Sequence, residues 1–359
     1  MTKSICGMLI AGLNWSAGAA TILDIGTLPN MSDSSGYGIS RTGRVVGSSG
    51  SKAFRTQKNY PLLGAPGEDL HATLVQVLQL SLFASEAFDI HQYNKEPMEI
   101  VGQANVGQVN SWPFWYQESD NGVIKYARLL NTTTGGAAVS VKPDTSGSGG
   151  PSVVVGHVYV NEMAHAAYWV VVPTQHWLYD YGNIYFPSQE SFATDTDRNR
   201  TVGYRGSSTN WQAFIIDNLA YGLSVPSNAT ASAAYGMHPY GSLSRIVGSY
   251  VEGGFERPIY WSYTGSGSST YTILQVPAGF EHARALAVND YGQIVGSAWH
   301  PNGGEAACQW YYTGGPVTVL GGGSWQLRIA RKINSYSVGG KVVGWGFHSG
   351  VVRGFVYSP

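Results

Sequence analysis

Apolar residues in this chain gather in short runs that end in glycine, and the same run keeps returning. It reads Val45-Val46-Gly47, Ile100-Val101-Gly102, Val154-Val155-Gly156, Thr201-Val202-Gly203, Ile246-Val247-Gly248, Ile294-Val295-Gly296 and Val342-Val343-Gly344. The intervals between these glycines are 55, 54, 47, 45, 48 and 48 residues. Two further beats keep phase with it. Just before most of the glycines comes a small residue, then two others, an apolar or Thr residue and a polar one, as in Ala87-Phe88-Asp89-Ile90-His91 and Ala285-Leu286-Ala287-Val288-Asn289. After each glycine comes an aromatic or apolar pair, such as Phe114-Trp115, Tyr168-Trp169, Ala213-Phe214, Tyr260-Trp261 and Gln309-Trp310. A looser fourth run follows, as in Tyr271-Thr272-Ile273-Leu274.

Each unit therefore predicts four short strands separated by Gly, Asn, Asp or Ser turns. A period of roughly 45–50 residues with four strands per unit is the signature of a propeller blade. The glycine-ending runs need not alternate, because a blade's middle strands are covered on both faces. The last unit stops after its third strand, at Arg353 to Tyr357, while Ala20 to Ile25 forms a strand with no unit of its own. That strand is expected to complete the seventh blade and so remove two open sheet edges. The fold class read here is all-β: a single seven-bladed propeller over residues 20–359, its last blade closed by an N-terminal strand. Most of the aromatic signal then belongs to packing, and Trp115, Trp169, Trp261 and Trp310 share one repeat slot.

Composition agrees with many strands and tight turns. Only 12% of residues are charged, 13% are aromatic, and there are 47 glycines among 359 residues. The net charge of −1 offers no basic field for nucleic acid or an anionic membrane surface. The start has the order of a secretory leader: Lys3, an apolar stretch from Ile5 to Leu13, then Ala17-Gly18-Ala19. Residues 1–19 are read as that leader, which is too short to span a bilayer; a buried N-terminal element is the other reading. With Cys6 inside the leader, Cys308 stands alone, so no disulfide framework or cysteine metal site is expected.

The stretches Ile39 to Gly47, Val288 to Gly296 and Ile333 to Gly344 each end in the glycine run, and degenerate His-Ala-Phe elements occur along the chain. These are Lys52-Ala53-Phe54, Gln212-Ala213-Phe214 and His165-Ala166-Ala167 with Tyr168. With Asp24-Ile25-Gly26-Thr27-Leu28 ahead of the first unit, the chain resembles the HAF-type extracellular repeat proteins of bacteria. That resemblance implies an exported repeat protein, secreted or periplasmic. It supplies no catalytic residues.

Function must then come from groups grafted onto the propeller face built by loops joining second to third strands and one blade to the next. The second-to-third loops are expected to carry Tyr204, Arg205, Arg257, Trp299, His300, Trp345 and His348, with His157, Tyr159 and His165 added by the third blade and His282 and Arg284 by the loop entering the sixth. Trp299 and Trp345 fall outside the repeated aromatic slot. Indole faces beside Arg, His and Tyr donors suit a sugar ring, whose apolar face stacks and whose hydroxyls need fixed partners. The reading is a binding propeller for a glycan or a cell-surface protein, with no nucleic acid, no membrane insertion and no cofactor. A propeller-type uronate lyase is the alternative, with Tyr204, Arg205, His300 and His348 as proton-transfer and carboxylate-neutralising groups. A structural subunit of an extracellular assembly is a third. Asp195, Asp197 and Asn199 place oxygens at alternating positions like the start of a calcium loop, but also sit where an ordinary turn is due; the turn is preferred. Repeat symmetry gathers Ser40, His91, Lys142, Asp197, His238, Asn289 and Asn334 at one end of the axis, where His91, Lys142 and His238 are candidates for an anion site.

Overall fold

The computed structural model of the chain describes residues 20–56, 68–91, 97–106, 110–119, 124–132, 134–143, 150–207 and 209–359. They form seven four-stranded antiparallel sheets, each a blade of a ring. The innermost strands of blades 1 to 7 are Ser35–Ile39, Leu82–His91, Gly136–Lys142, Glu190–Thr196, Ala231–Tyr240, His282–Val288 and Trp325–Ile333. The second strands carry the glycine run: Val45–Ser49, Met98–Val106, Ser152–Val160, Thr201–Gly206, Leu243–Glu252, Gln293–Trp299 and Val342–His348. Thr21–Asp24 pairs antiparallel with Val351–Ser358, Thr21 opposite Ser358 and Asp24 opposite Phe355, and so becomes the outer strand of blade 7. Ile39, Val45 and Phe54 of blade 1 pack on Val343 and Val356 of blade 7, which completes the ring. The expected leader, residues 1–19, lies outside the described residues.

All seven repeat glycines have one cause. A Cβ on Gly47, Gly102, Gly156, Gly203, Gly248 or Gly344 would lie 1.9 Å from a backbone carbonyl oxygen of the innermost strand, and one on Gly296 2.0 Å. None of the seven has a positive φ; the demand is for close approach, not for an unusual backbone. That approach accompanies a β-bulge in every innermost strand. The register skips one residue after Gly36, Ala87, Ala138, Ala193, Ala234, Ala285 and Ala330, each of which faces its repeat glycine across the ladder.

The shared tryptophans are core. Trp115, Trp169, Trp261 and Trp310 are at most 1% exposed. Burying such a ring removes some 150–250 Å² from water, worth up to about 4–6 kcal/mol before chain entropy is set against it. Three of the indole N–H groups donate to the segment that arrives from the preceding blade: Trp169 to the Asn131 carbonyl (3.1 Å), Trp261 to Ser224 (2.6 Å) and Trp310 to Gln275 (2.7 Å). The slot thus fastens each blade to its incoming linker as well as filling the interface. Cys308 is buried among Val247, Ala285 and Trp310, and burial pushes its thiol up to about 12.

Two short helices interrupt the strands. Leu70–Leu78 is capped by Asp69, whose carboxylate accepts from the Ala72 N–H at 2.8 Å, and it lays Leu70 and Leu74 into the seam between blades 1 and 2. Tyr181–Tyr185 lies between blades 3 and 4.

The second strands run further than the sequence pattern suggests. Tyr204, Arg205, Trp299 and Trp345, expected in loops, are strand residues, because ladder pairing continues past each repeat glycine. His282 and Arg284 likewise belong to the innermost strand of blade 6 rather than to the loop before it.

Candidate functional site

The bulges decide what faces the axis. In each innermost strand the residue skipped by the register is pushed out of the ladder, so its side chain has no sheet neighbour opposite it. These residues are Tyr37, Phe88, Val139, Thr194, Tyr235, Leu286 and Arg331, one per blade, and all seven line a single cavity of about 490 Å³ on the axis. The small residues before them are buried, whereas the bulge residues remain partly or fully accessible. His157 and Tyr204, each one step after a repeat glycine, join the wall, as do Glu86 and Phe192 from neighbouring positions of the innermost strands.

Two sectors of the cavity wall are aromatic, one at blades 4 and 5 and one at blades 1 and 2. Phe192 and Tyr204 stack at 5.1 Å between centroids with 27° between planes, and Tyr235 meets Tyr204 edge-on at 6.2 Å. Tyr37 and Phe88 form a second pair at 5.7 Å. The phenols are held protonated: burial raises Tyr37, Tyr204 and Tyr235, the last to about 12 with Glu256 adding to the effect. Burial also pushes His157 down to about 4, so it is neutral at pH 7. Polar partners stand close by. Glu86 accepts from the Gln103 amide at 2.7 Å and from the Tyr37 hydroxyl at 3.5 Å, and Ser48 donates to the Tyr37 oxygen at 3.2 Å.

The floor is ionic. Lys332 reaches Asp89 at 3.5 Å and Asp195 at 3.8 Å, and Lys142 lies 4.0 Å from Asp195. The Ser140 hydroxyl bridges both carboxylates, and backbone N–H groups of Val141 and Met237 donate to them. Burial alone would raise the Asp195 carboxyl. The two lysines, Ser140 and the Met237 N–H outweigh that and hold it below the usual carboxylate range. Lys332 is raised in turn: Asp195 and Asp89 overcome the burial that works against its charge.

Beyond the floor lies the ring of polar residues that closes the innermost strands. The Asn289 amide donates to the Asn334 carbonyl at 3.1 Å and the Asn334 amide to the Ser40 carbonyl at 3.4 Å, which links blades 6, 7 and 1. Asn289 also accepts from the Tyr291 and Gln293 N–H groups across a turn whose Gly292 has φ +83°, so the Asn-x-x-Gly motif is a turn device. His91 and His238 are both shifted down, first by burial and then by Lys142, His91 to about 4.

Of the residues singled out from the sequence, Tyr204 and His157 line the cavity. Arg205 points to the opposite face of its strand, its guanidinium 4.8 Å from the Phe186 ring centre. Trp299 stacks on His282 at 5.2 Å and 11°, with Arg284 over its face at 4.4 Å. His300 Nε2 is 3.1 Å from Glu281, whose carbonyl accepts from Arg257 at 3.0 Å, so Trp299, His300 and Arg257 share one rim cluster at blades 5 and 6. His348 stacks on Trp325 at 4.5 Å and 4° and lies 3.5 Å from Asp24. Trp345 meets Phe347 edge-on at 6.3 Å in blade 7. The four lyase candidates therefore stand in four separate places. Asp195 and Asp197 also diverge: Asp195 belongs to the channel floor, while Asp197 accepts from the Asn199 and Arg200 N–H groups of its own turn. Among the described residues no cluster of three or more metal-ligating side chains occurs.

No protein-family model matches this sequence, and no curated protein matches it either. Solved structures do match. A chain of a mitotic checkpoint complex aligns at 9% identity and a TM-score of 0.51, over 99% of this chain and 98% of that one. Puromycin hydrolase aligns at 10% identity and a TM-score of 0.53, over 90% of this chain and 51% of the hydrolase. This chain thus spans about half of the hydrolase. At such identities the likeness extends to the propeller architecture alone.

Proposed function

We propose that this propeller is an exported binding module whose axial cavity takes a saccharide-sized ligand. The observation that carries the reading is the cavity itself: about 490 Å³, walled by one bulge side chain from every blade, with ring faces in two sectors of the wall and fixed polar groups beside them. A sugar needs that pairing, an apolar face to stack on and directed partners for its hydroxyls. The protonated phenols of Tyr204 and Tyr235 supply donors, and neutral His157 supplies either role. The raised phenols also suit binding better than base catalysis, which needs a phenol shifted the other way. The repeat resemblance and the leader-like start support export and a ligand met outside the cell, on a glycan or a cell-surface protein.

A glycan array followed by titration of its hits tests this. Val139→Trp, which fills the cavity from one bulge, should abolish binding while leaving the melting profile of the propeller in place. Binding that survives Val139→Trp and disappears on Trp299→Ala instead moves the site to the rim cluster.

A further inference from the structure

Charge within the cavity is uneven. Lys332 in the floor is neutralised by Asp89 and Asp195. Glu86 is engaged by Gln103 and Tyr37. Arg284, near the mouth, pairs with Glu256 at 3.5 Å, and Glu256 also accepts from Ser249 at 2.6 Å. Arg331 is different. It is the bulge residue of blade 7, accessible inside the cavity, and its guanidinium rests 5.8 Å from the Tyr37 ring centre. Among the described residues nothing accepts a hydrogen bond from it and no carboxylate comes within salt-bridge distance, although Glu86 and Glu305 lie in electrostatic range. Five N–H donors are thus fixed on an axial wall, facing the ligand space with no protein acceptor.

Such a group is costly to surround with walls unless something answers it. We propose that the cavity is selective for a carboxylate-bearing saccharide, a uronate or similar sugar acid, whose acid group docks on Arg331 while its ring lies against the aromatic wall. The inference rests on the saccharide reading of the cavity and adds the class of sugar. A single carboxylate matches the one unanswered cation that lines the cavity among the described residues, and its two oxygens fit the planar fork of a guanidinium. A phosphosugar fits less well: its second negative charge would find no free cation and would face Glu86. Because Arg331 already lies on Tyr37, the donor geometry is held before ligand arrives and little side-chain entropy remains to be lost.

Calorimetric titration of the whole chain with four ligands separates the outcomes: glucuronate, its neutral methyl ester, glucose and glucose 6-phosphate. Glucuronate should bind at least about tenfold more tightly than the ester and than glucose, the usual scale of a charge-assisted bond. Arg331→Gln should erase that preference, weakening glucuronate by far more than it weakens the ester, and Arg331→Lys should retain part of it. The wild-type ratio of acid to ester needs no variant, so it stands even where Arg331→Gln fails to fold. Equal binding of acid, ester and glucose overturns the carboxylate selectivity and leaves the saccharide cavity intact. Tighter binding of the phosphate than of the uronate overturns it too. Absence of binding by all four, together with a blank glycan array, overturns both readings.

Discussion

The two halves of the axial channel come from adjacent positions of the same repeat, yet they are built to opposite ends. The bulge residues of the seven innermost strands enclose an open space with aromatic faces and one unanswered arginine. One residue further on, Asp89, Ser140, Asp195 and Lys332 close the channel with carboxylates, a hydroxyl and a cation that satisfy one another. The contrast shows how a symmetric ring acquires a one-sided cavity. Symmetry fixes where a side chain enters the axis, and residue identity decides whether it finds a partner there.

The floor should be the most sensitive part. Lys332→Met leaves Asp89 and Asp195 buried without their main counter-charge and should cost about 3–5 kcal/mol in urea unfolding, with part of the loss recovered in Lys332→Met/Asp89→Asn. An unchanged midpoint would mean that the floor charges do not hold the channel shut. Next comes the bulge that both halves share. Gly203→Ala sets a methyl against the Phe192 carbonyl and should lose up to about 3 kcal/mol, whereas Gly222→Ala, with nothing within 4 Å of its Cβ, should lose far less. Equal effects at the two glycines would remove the close-approach account of the repeat.

The smallest effect belongs to the cavity wall. Folded His157 titrates at about 4, below the 6.5 of an unfolded histidine. Between those values the unfolded chain takes up a proton that the folded chain refuses. The stability this group contributes is therefore complete above pH 6.5 and is lost as pH falls toward 4. Discounted for water in the cavity, the loss by pH 5 is about 1–2 kcal/mol. His157→Gln should flatten that part of the stability profile; an identical pH profile in the variant would show that the imidazole is not buried as described.

The ring was legible because its glycines are compulsory. A carbonyl 1.9 Å from where a Cβ would sit forbids any other residue, so the beat persists through sequence drift and can be counted. The tryptophan slot and the closing strand Thr21–Asp24 followed from the same phase. The cavity was harder to read, since strand periodicity assumes that successive side chains alternate between faces. A bulge breaks the alternation without altering hydrophobicity, so Tyr37, Phe88, Tyr235 and Arg331 passed as ordinary members of the first beat. The signal was nonetheless present: each directly follows the small residue that faces a repeat glycine. His300 and His348 were chosen by residue type near a strand end, where type does not distinguish a free imidazole from one stacked on Trp325 or beside Glu281.

The pairing of Thr21 with Ser358 has a consequence for how the protein is made. Thr21–Asp24 is made well before its edge partner Val351–Ser358, so the circle cannot shut until both strands have been made. Until then blade 7 lacks its outer edge and blade 1 lacks one flank. Among the described residues this zippering joins segments very far apart in sequence, and with it a loop spanning nearly the whole ring closes.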